Sequence, residues 1–200
     1  MSPMAIVVVP LGYLLGSFPS GYLAGHWCAD IDIRQVGSGS TGATNVLRQV
    51  GKGPALVVFL VDVFKGSAAV VLARVLLGVG AHGWLVAAGL AALAGHIWPV
   101  WLGWKGGKAV ATGFGMLLGL VPAVGLACLG IFLTSLAVSR IVSISSVLAA
   151  ASLPLLMAAA GAPGAYLGLG LVAAVMVIWR HRSNLSRLMQ GQEPRLGQKD

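Results

Sequence analysis

Long apolar runs are the feature that most constrains how this chain folds. Five of them fill most of the sequence, at 3–27, 53–78, 84–102, 109–138 and 147–179. A transmembrane helix needs about 20 mostly apolar residues, and each run is about that long or longer. Charged residues make up only 9% of the chain. Because soluble domains carry roughly 25%, this chain lacks the charges to coat a water-facing surface. The sequence therefore predicts an all-α polytopic integral membrane protein.

The basic residues indicate how the chain is oriented in the bilayer. Most of them fall into four segments, at 30–52, 103–108, 139–146 and 180–200. Cytoplasmic loops are the ones enriched in Lys and Arg, so all four segments are predicted to face the cytoplasm. The net charge of +8 is thus interpreted as a membrane-orientation signal, and no nucleic acid partner is expected.

The two longest runs set the number of spans. Splitting them near Pro122 and near 161–163 gives seven transmembrane helices, with the N-terminus outside and the C-terminus cytoplasmic. Leaving both unsplit gives five helices with the same termini, but places Arg140 outside. The seven-helix arrangement is preferred because it keeps every basic segment cytoplasmic. The whole chain, 1–200, is expected to form a single membrane-embedded domain.

The segment 36–48 has the composition of an anion-binding loop. It reads V-G-S-G-S-T-G-A-T-N-V-L-R and contains no acid. Glycine permits positive φ and close approach, so successive backbone N–H groups can point at an anion. Arg48 offers a two-pronged contact to phosphate oxygens. The hydroxyl donors are Ser38, Ser40, Thr41 and Thr44. The alternative is an ordinary polar loop or a helix cap.

A second candidate site lies at 95–112, where W-P-V-W is followed by K-G-G-K and another apolar run. A glycine pair flanked by Lys105 and Lys108 at a helix N-terminus is a strong predicted anion site. Free N–H groups, the helix dipole and ammonium charge would converge there. Trp98, Trp101 and Trp104 fit a membrane-interface belt. The alternative is that the lysines are only cytoplasmic anchors.

Two weaker polar segments are predicted to share the cytoplasmic side with these loops. In 139–146, the spacing of the serines at 139, 143 and 146 predicts one helical face, and in 180–194 His181 and Asn184 share a face. Within the second apolar run, Asp62 and Lys65 lie three residues apart and are predicted to form a structural ion pair facing the bundle interior.

The residue inventory also excludes several chemistries. Five carboxylates, two of them in the tail, do not make an acidic metal cluster, and no Cys–His ligand spacing is present. No Ser–His–Asp or Cys–His pair indicates covalent catalysis. The sequence therefore predicts a cytoplasm-facing pocket for phosphorylated substrates, with no metal, no cofactor and no obligate protein partner.

Taken together, these segments resemble the bacterial acyl-phosphate-dependent glycerol-3-phosphate acyltransferase family (PlsY). The resemblance rests on G-S-F-P-S-G-Y (16–22), D-I-R-Q-V-G-S-G-S-T-G-A-T-N-V-L-R, G-H-I-W-P-V, K-G-G-K-A-V-A-T, the serine segment and R-H-R-S-N-L-S-R-L. It implies seven transmembrane helices in the bacterial inner membrane and an active site facing the cytoplasm. It also implies transfer of an acyl chain from acyl phosphate to the 1-hydroxyl of glycerol 3-phosphate. The products would be lysophosphatidic acid and phosphate, in the first committed step of phospholipid synthesis.

The resemblance also implies which residues form the site. Catalytic roles fall to Ser38, Arg48, Lys108, Ser146, His181 and Asn184. Contacts to substrate phosphate fall to Gly37, Gly39, Ser40, Asn45, Lys105, Gly106, Gly107 and Ser143. This chain departs from the family pattern at two positions: Ser40 stands where members generally have Asn, and Ala109 where they generally have Gly.

Two other classes of protein are consistent with parts of this pattern. A membrane carrier for small phosphate esters would use the same loops as an anion gate, but the basic loops all lie on one predicted side. A structural membrane subunit would leave the donor-rich loops unexplained. Acyl transfer is the preferred interpretation.

Overall fold

The computed structural model describes residues 3–197, and in this range it is all-helical apart from loops and turns. Ten α-helices occur there, with a 3-10 turn at Val100–Leu102. Their bounds are α1 (Pro3–Ser17), α2 (Ser20–Ala29), α3 (Ala43–Gln49), α4 (Lys52–Leu77), α5 (His82–Ile97), α6 (Val110–Leu120), α7 (Pro122–Ser139), α8 (Val142–Ala159), α9 (Gly164–Arg180) and α10 (Arg182–Met189). The predicted all-α membrane class is confirmed.

Both long apolar runs are broken where the sequence predicted. α6 ends at Leu120 and α7 begins at Pro122, which occupies the first helical turn, where its missing N–H costs nothing. α8 ends at Ala159, and Pro163 precedes the start of α9. The interpretation of each run as one unbroken helix is therefore wrong. The first run is also interrupted, since α1 and α2 are separated at 18–19.

The number of spans differs from a simple count of helices. Within residues 3–197, five stretches are long and apolar enough to cross a bilayer, and a sixth results if α9 and α10, bent by 54°, count as one. α6 has only 11 residues, about half of the usual span. The seven-span arrangement and the orientation of the termini stay predictions.

The chain divides into two compact units, up to Leu120 and from Val121 onward. In the first unit, α1 packs on α5 and α4 packs on α6. A Cβ at Gly12 or Gly16 would collide with backbone atoms of Ala88 and Ala92 in α5. Membrane helices associate through such small residues because lipid offers no hydrophobic driving force between helices. In the second unit, α8 contacts α7, α9 and α10.

The predicted ion pair in the second run is confirmed. Lys65 Nζ lies 2.8 Å from Asp62 Oδ1, and both side chains are buried. A charge inside a helix bundle needs such a partner because lipid and apolar side chains cannot solvate it.

Candidate functional site

The first loop follows α2 and begins with a paired acid. Arg34 donates from Nε to Asp32 Oδ1 at 2.9 Å and from Nη2 to Asp32 Oδ2 at 2.7 Å. These hydrogen bonds from the Arg34 guanidinium hold the pKa of Asp32 below its ordinary value, although burial acts in the opposite direction. Arg34 also donates from Nη1 to the carbonyl of Leu102 at 3.0 Å. The arginine therefore ties this loop to the segment that leads into K-G-G-K.

The loop from 33 to 40 is organised by one buried side chain, Asn45. Its Nδ2 lies 3.1 Å from the carbonyl of Ile33, 3.1 Å from that of Val36 and 3.0 Å from that of Ser40. Its Oδ1 accepts the backbone N–H of Ser38 at 3.0 Å. Asn45 was expected to contact substrate phosphate, but its amide is engaged in shaping the loop. Its contact to substrate phosphate stays a prediction.

The two glycines of this loop adopt the conformation that the sequence indicated. Gly37 and Gly39 have φ of 57° and 66°, and a Cβ at Gly37 would collide with Asn45 Oδ1. The turn they form leaves Ser38 exposed, while Ser40 is half-buried and its Oγ accepts the N–H of Gly42 at 3.4 Å. This loop thus presents a hydroxyl at its tip.

Arg48 lies in the last turn of α3, which docks against α4. Val46 is fully buried and packs in a cluster with Ile33, Ala55 and Val58. This apolar contact fixes α3, and Arg48, two residues later, remains half-buried. The sequence predicted the loop but not the helix that carries its arginine.

The K-G-G-K loop has a different geometry from the predicted backbone cradle. The N–H of Gly106 donates to the carbonyl of Ile97, and that of Gly107 to the carbonyl of His96, each at 3.1 Å. These N–H groups therefore point back to α5 and are not available as the predicted anion donors. The glycines are needed for close approach, because a Cβ at either position would collide with His96.

The lysines flanking this pair differ in environment. Lys105 is exposed, whereas Lys108 is half-buried just before α6 begins at Val110. Ala109, between Lys108 and the start of α6, is buried and has φ of 58°, a left-handed conformation that non-glycine residues rarely adopt. Alanine therefore adopts here a backbone conformation that suits glycine, the residue expected at this position from the family pattern.

In the second unit, the serine segment forms the first turns of α8. Arg140 has φ of 58° and ends α7, so Ser139 belongs to a different helix from Ser143 and Ser146. The predicted single face for all three serines is therefore wrong. Ser146 Oγ donates to the carbonyl of Val142 at 2.8 Å, within its own helix.

A buried glutamate accepts hydrogen bonds from three polar side chains of this unit. The sequence analysis did not single it out. Glu193 Oε1 accepts from Ser143 Oγ at 2.8 Å and from Asn184 Nδ2 at 2.6 Å. Its Oε2 accepts from Arg187 Nε at 2.9 Å. Burial raises the pKa of Glu193, but the hydrogen bonds from Asn184 and Ser143 and the charge of Arg187 outweigh it and lower the pKa overall. The available signal was one of only two acids in a basic tail.

His181 joins α9 to α10 and is buried. Its Nδ1 lies 2.8 Å from the carbonyl of Val177. Because a carbonyl only accepts, Nδ1 is the donor in this contact and carries a proton. Within the second unit, the structure thus places His181, Asn184 and Ser143 around the α8 and α10 termini, with Glu193 among them.

Known proteins share this sequence and this fold over nearly their whole length. A relative from Synechococcus sp. (strain CC9902), named glycerol-3-phosphate acyltransferase, is 64% identical over 196 residues, covering 98% of this chain and 96% of its own. One of the same name from Prochlorococcus marinus (strain MIT 9313) is 70% identical over 191 residues, covering 94% and 93%.

Solved structures give the same result. The glycerol 3-phosphate form of PlsY (YgiH), an integral membrane glycerol 3-phosphate acyltransferase, matches with a TM-score of 0.92 and 38% identity, covering 97% of this chain and 96% of its own. Its lysophosphatidic acid form matches with a TM-score of 0.89 and 36% identity. The family model described as glycerol-3-phosphate acyltransferase matches residues 6–191. The chain belongs to the glycerol-3-phosphate acyltransferase family.

Proposed function

We propose that this protein transfers an acyl chain from acyl phosphate to the 1-hydroxyl of glycerol 3-phosphate, giving lysophosphatidic acid and inorganic phosphate. The observation that carries the proposal is the similarity to PlsY in two forms, with glycerol 3-phosphate and with lysophosphatidic acid. These two molecules differ by one acyl group. The acceptor and product therefore identify the reaction as a single acyl transfer, and the resemblance supplies acyl phosphate as the donor.

The reaction requires little from the protein except positioning of the substrates and stabilisation of charge. An acyl phosphate is a mixed anhydride and is already activated. The glycerol 1-hydroxyl oxygen attacks the acyl carbon, the new ester C–O bond forms, and the C–O bond to phosphate breaks. Phosphate leaves with the bonding pair, and a substrate phosphate accepts the hydroxyl proton. No enzyme nucleophile is required, and positioning with electrostatic stabilisation supplies the acceleration.

The proposed residue roles follow from charge and exposure. Arg48 and Lys108 are half-buried cations that hold substrate phosphate, and the exposed Ser38 hydroxyl lies on the loop that precedes Arg48. In the second unit, Ser146, His181 and Asn184 carry the catalytic roles that the resemblance implies. Lys105, which is exposed, contributes long-range attraction for anionic substrates.

An assay of the purified protein tests the proposal. Given acyl phosphate and glycerol 3-phosphate, it should release phosphate and lysophosphatidic acid in equal amounts. Acyl-coenzyme A in place of acyl phosphate serves as the donor control and should give no product. Uptake of glycerol 3-phosphate into proteoliposomes without product would instead identify a carrier, and a trapped, kinetically competent acyl-enzyme would overturn direct transfer.

We also propose the seven-span arrangement in the bacterial inner membrane, with the basic segments cytoplasmic. The four segments carry the charge that orients membrane proteins. Single cysteines at the exposed positions 80, 105 and 140, in a background lacking Cys28 and Cys128, test it with a membrane-impermeant label. Positions 105 and 140 should react from the cytoplasmic side and position 80 from outside. Labelling of position 140 from outside would contradict seven spans.

A further inference from the structure

A buried polar network lies beneath the K-G-G-K loop, and the proposed reaction does not use it directly. Asp62 Oδ1 accepts from Lys65 Nζ at 2.8 Å and from Ser20 Oγ at 2.7 Å. The same oxygen lies 3.6 Å from Nδ1 of His96. Lys65 also donates to the carbonyl of Phe18 at 3.1 Å. The side chains of Asp62, Lys65 and His96 are at most 5% exposed, so this polarity faces neither lipid nor water.

His96 connects this network to both sides of Lys108. Its carbonyl accepts the N–H of Gly107, and its imidazole occupies the space that a Cβ on Gly107 would fill. On the other side, His96 Nδ1 lies 3.2 Å from Oγ1 of Thr112 in the first turn of α6. One histidine therefore contacts both the residue before Lys108 and the helix after it.

The space beside the network is too small for substrate. The cavity next to Lys65 and His96, lined also by Ser17, Ser20 and Thr41, has a volume of about 10 Å³. That is about the space of one water molecule, and a phosphate ester is several times larger. We therefore expect Asp62, Lys65 and His96 to affect the substrate through the loop that they support.

We propose that Asp62 and His96 are positioning residues that hold Gly107, and through it Lys108, in the geometry for binding phosphate. The Asp62 carboxylate beside Nδ1 favours a proton on that nitrogen, and this N–H then donates a hydrogen bond to Thr112 Oγ1. The other edge of the ring faces Gly107. Lys65 balances the charge of Asp62. This inference rests on the proposed function, because it assumes that Lys108 holds a substrate phosphate.

Two replacements of His96 test separately the contacts that the two edges of its ring make. In His96→Asn the amide lies where Nδ1 was, so the contacts to Asp62 and Thr112 persist. The backbone hydrogen bond from Gly107 also remains, and only the ring contact to Gly107 is lost. In His96→Gln the longer amide reaches the former Nε2 position. Hydrogen exchange of the 103–109 backbone in detergent measures the support directly. We expect exchange about tenfold faster in His96→Asn and within about twofold of the parent in His96→Gln.

Steady-state kinetics provides a second readout. A displaced Lys108 should raise KM about tenfold for whichever substrate phosphate it holds and leave KM for the other substrate near the parental value. A merely structural role would lower the amount of active protein without changing either KM. His96→Gln should restore most of the lost kcat/KM.

The role of Asp62 needs a charge-neutral variant. Asp62→Asn alone would leave the Lys65 ammonium buried without its carboxylate, which is strongly destabilising. The double variant Asp62→Asn/Lys65→Met removes both charges and should show the same faster exchange at 103–109. Ser67→Ala is the matched control on α4, because its hydroxyl bonds only within that helix, to Val63 and Phe64. It should exchange and turn over like the parent.

The outcomes separate this inference from the proposed function. A parent protein that forms no lysophosphatidic acid overturns the proposed function, whereas the exchange measurement still tests the support of the loop. An active parent with parental exchange and parental KM values in both His96→Asn and the double variant overturns the positioning role.

Discussion

Asn45 in the first unit and Glu193 in the second each organise a polar segment through one buried side chain. Asn45 holds three carbonyls and one N–H, all of them backbone groups. Glu193 holds two neutral side chains and one arginine. The amide is uncharged at every pH, whereas the carboxylate titrates. The hydrogen bonds that Asn45 makes are therefore expected to persist in acid, whereas the cluster around Glu193 is expected to lose its central charge.

The same difference affects the charge of each segment. Asn45 uses backbone partners only, so it adds no charge to its loop and neutralises none. Glu193 instead neutralises Arg187 and receives the hydroxyl of Ser143 and an amide N–H of Asn184. Ser143 and Asn184 both bond to this carboxylate, so their predicted contacts to substrate stay predictions. An uncharged amide thus organises the segment of the first unit, and a carboxylate balanced by an arginine organises that of the second.

Asn45→Asp should have the largest effect. A carboxylate cannot donate, so it would face three carbonyls that lose their partner, at a cost of about 1–3 kcal/mol for each buried group left unsatisfied. We expect a loss of at least about 3 kcal/mol in stability, seen as a large drop in melting temperature in detergent, and little remaining activity. Gln190→Glu, the same change of an amide to an acid at an exposed position, should be silent. A stable, active Asn45→Asp protein would contradict the organising role.

Lys108→Ala should lose more activity than Lys105→Ala. Lys108 is half-buried beside the start of α6, where a charge-assisted contact is worth about 2–4 kcal/mol, or roughly 10²–10³ in rate. Lys105 is exposed and its charge is screened by solvent. The measurement is kcat/KM for both variants at one ionic strength. Equal and mild losses would favour the interpretation of both lysines as membrane anchors.

Glu193→Gln should cost less and should change how stability depends on pH. The folded pKa of Glu193 lies below its unfolded value, so its contribution is complete above about pH 4.3 and is lost as the pH falls through the folded pKa. Removing the charge should lower stability by about 1–3 kcal/mol at pH 7 and flatten the loss in acid. Melting curves between pH 3 and pH 7 test this. Asp30→Asn, which changes an exposed acid, is the control. If the stability of Glu193→Gln fell in acid as steeply as that of the parent, Glu193 would be excluded as the acid-sensitive centre.

Ala109→Gly should have the smallest effect. Glycine adopts the left-handed conformation without strain, which is worth about 1–2 kcal/mol. It also removes a buried methyl group and raises the conformational entropy of the unfolded chain, and both of these effects are destabilising. The opposing contributions predict a change within about 1 kcal/mol, a shift of a few degrees in melting temperature. Ala109→Val, with a β-branched side chain at the same φ, should be clearly destabilised. A large loss in Ala109→Gly would mean that the methyl group matters more than the backbone.

Part of the site was predictable from local sequence alone. Gly37 and Gly39 were expected in a turn that needs positive φ, and both adopt it. Asp62 and Lys65 were expected to pair, because an isolated charge is unfavourable in a membrane at whatever depth it lies. By contrast, Gly106 and Gly107 were expected to aim their N–H groups at an anion. Their actual partners are carbonyls of α5, and spacing along the chain does not show which segment lies behind a loop.

The sequence by itself determined the class of protein, the helix breaks at Pro122 and 160–163, and the family, because hydropathy, charge and proline act over a few residues. Tertiary structure alone decided that Asn45 shapes a loop, that His96 lies behind Lys108, and that Glu193 collects Ser143 and Asn184. Those contacts join residues up to 50 positions apart. Only packing in three dimensions selects which polar groups meet, because a buried donor or acceptor needs a partner wherever the fold supplies one.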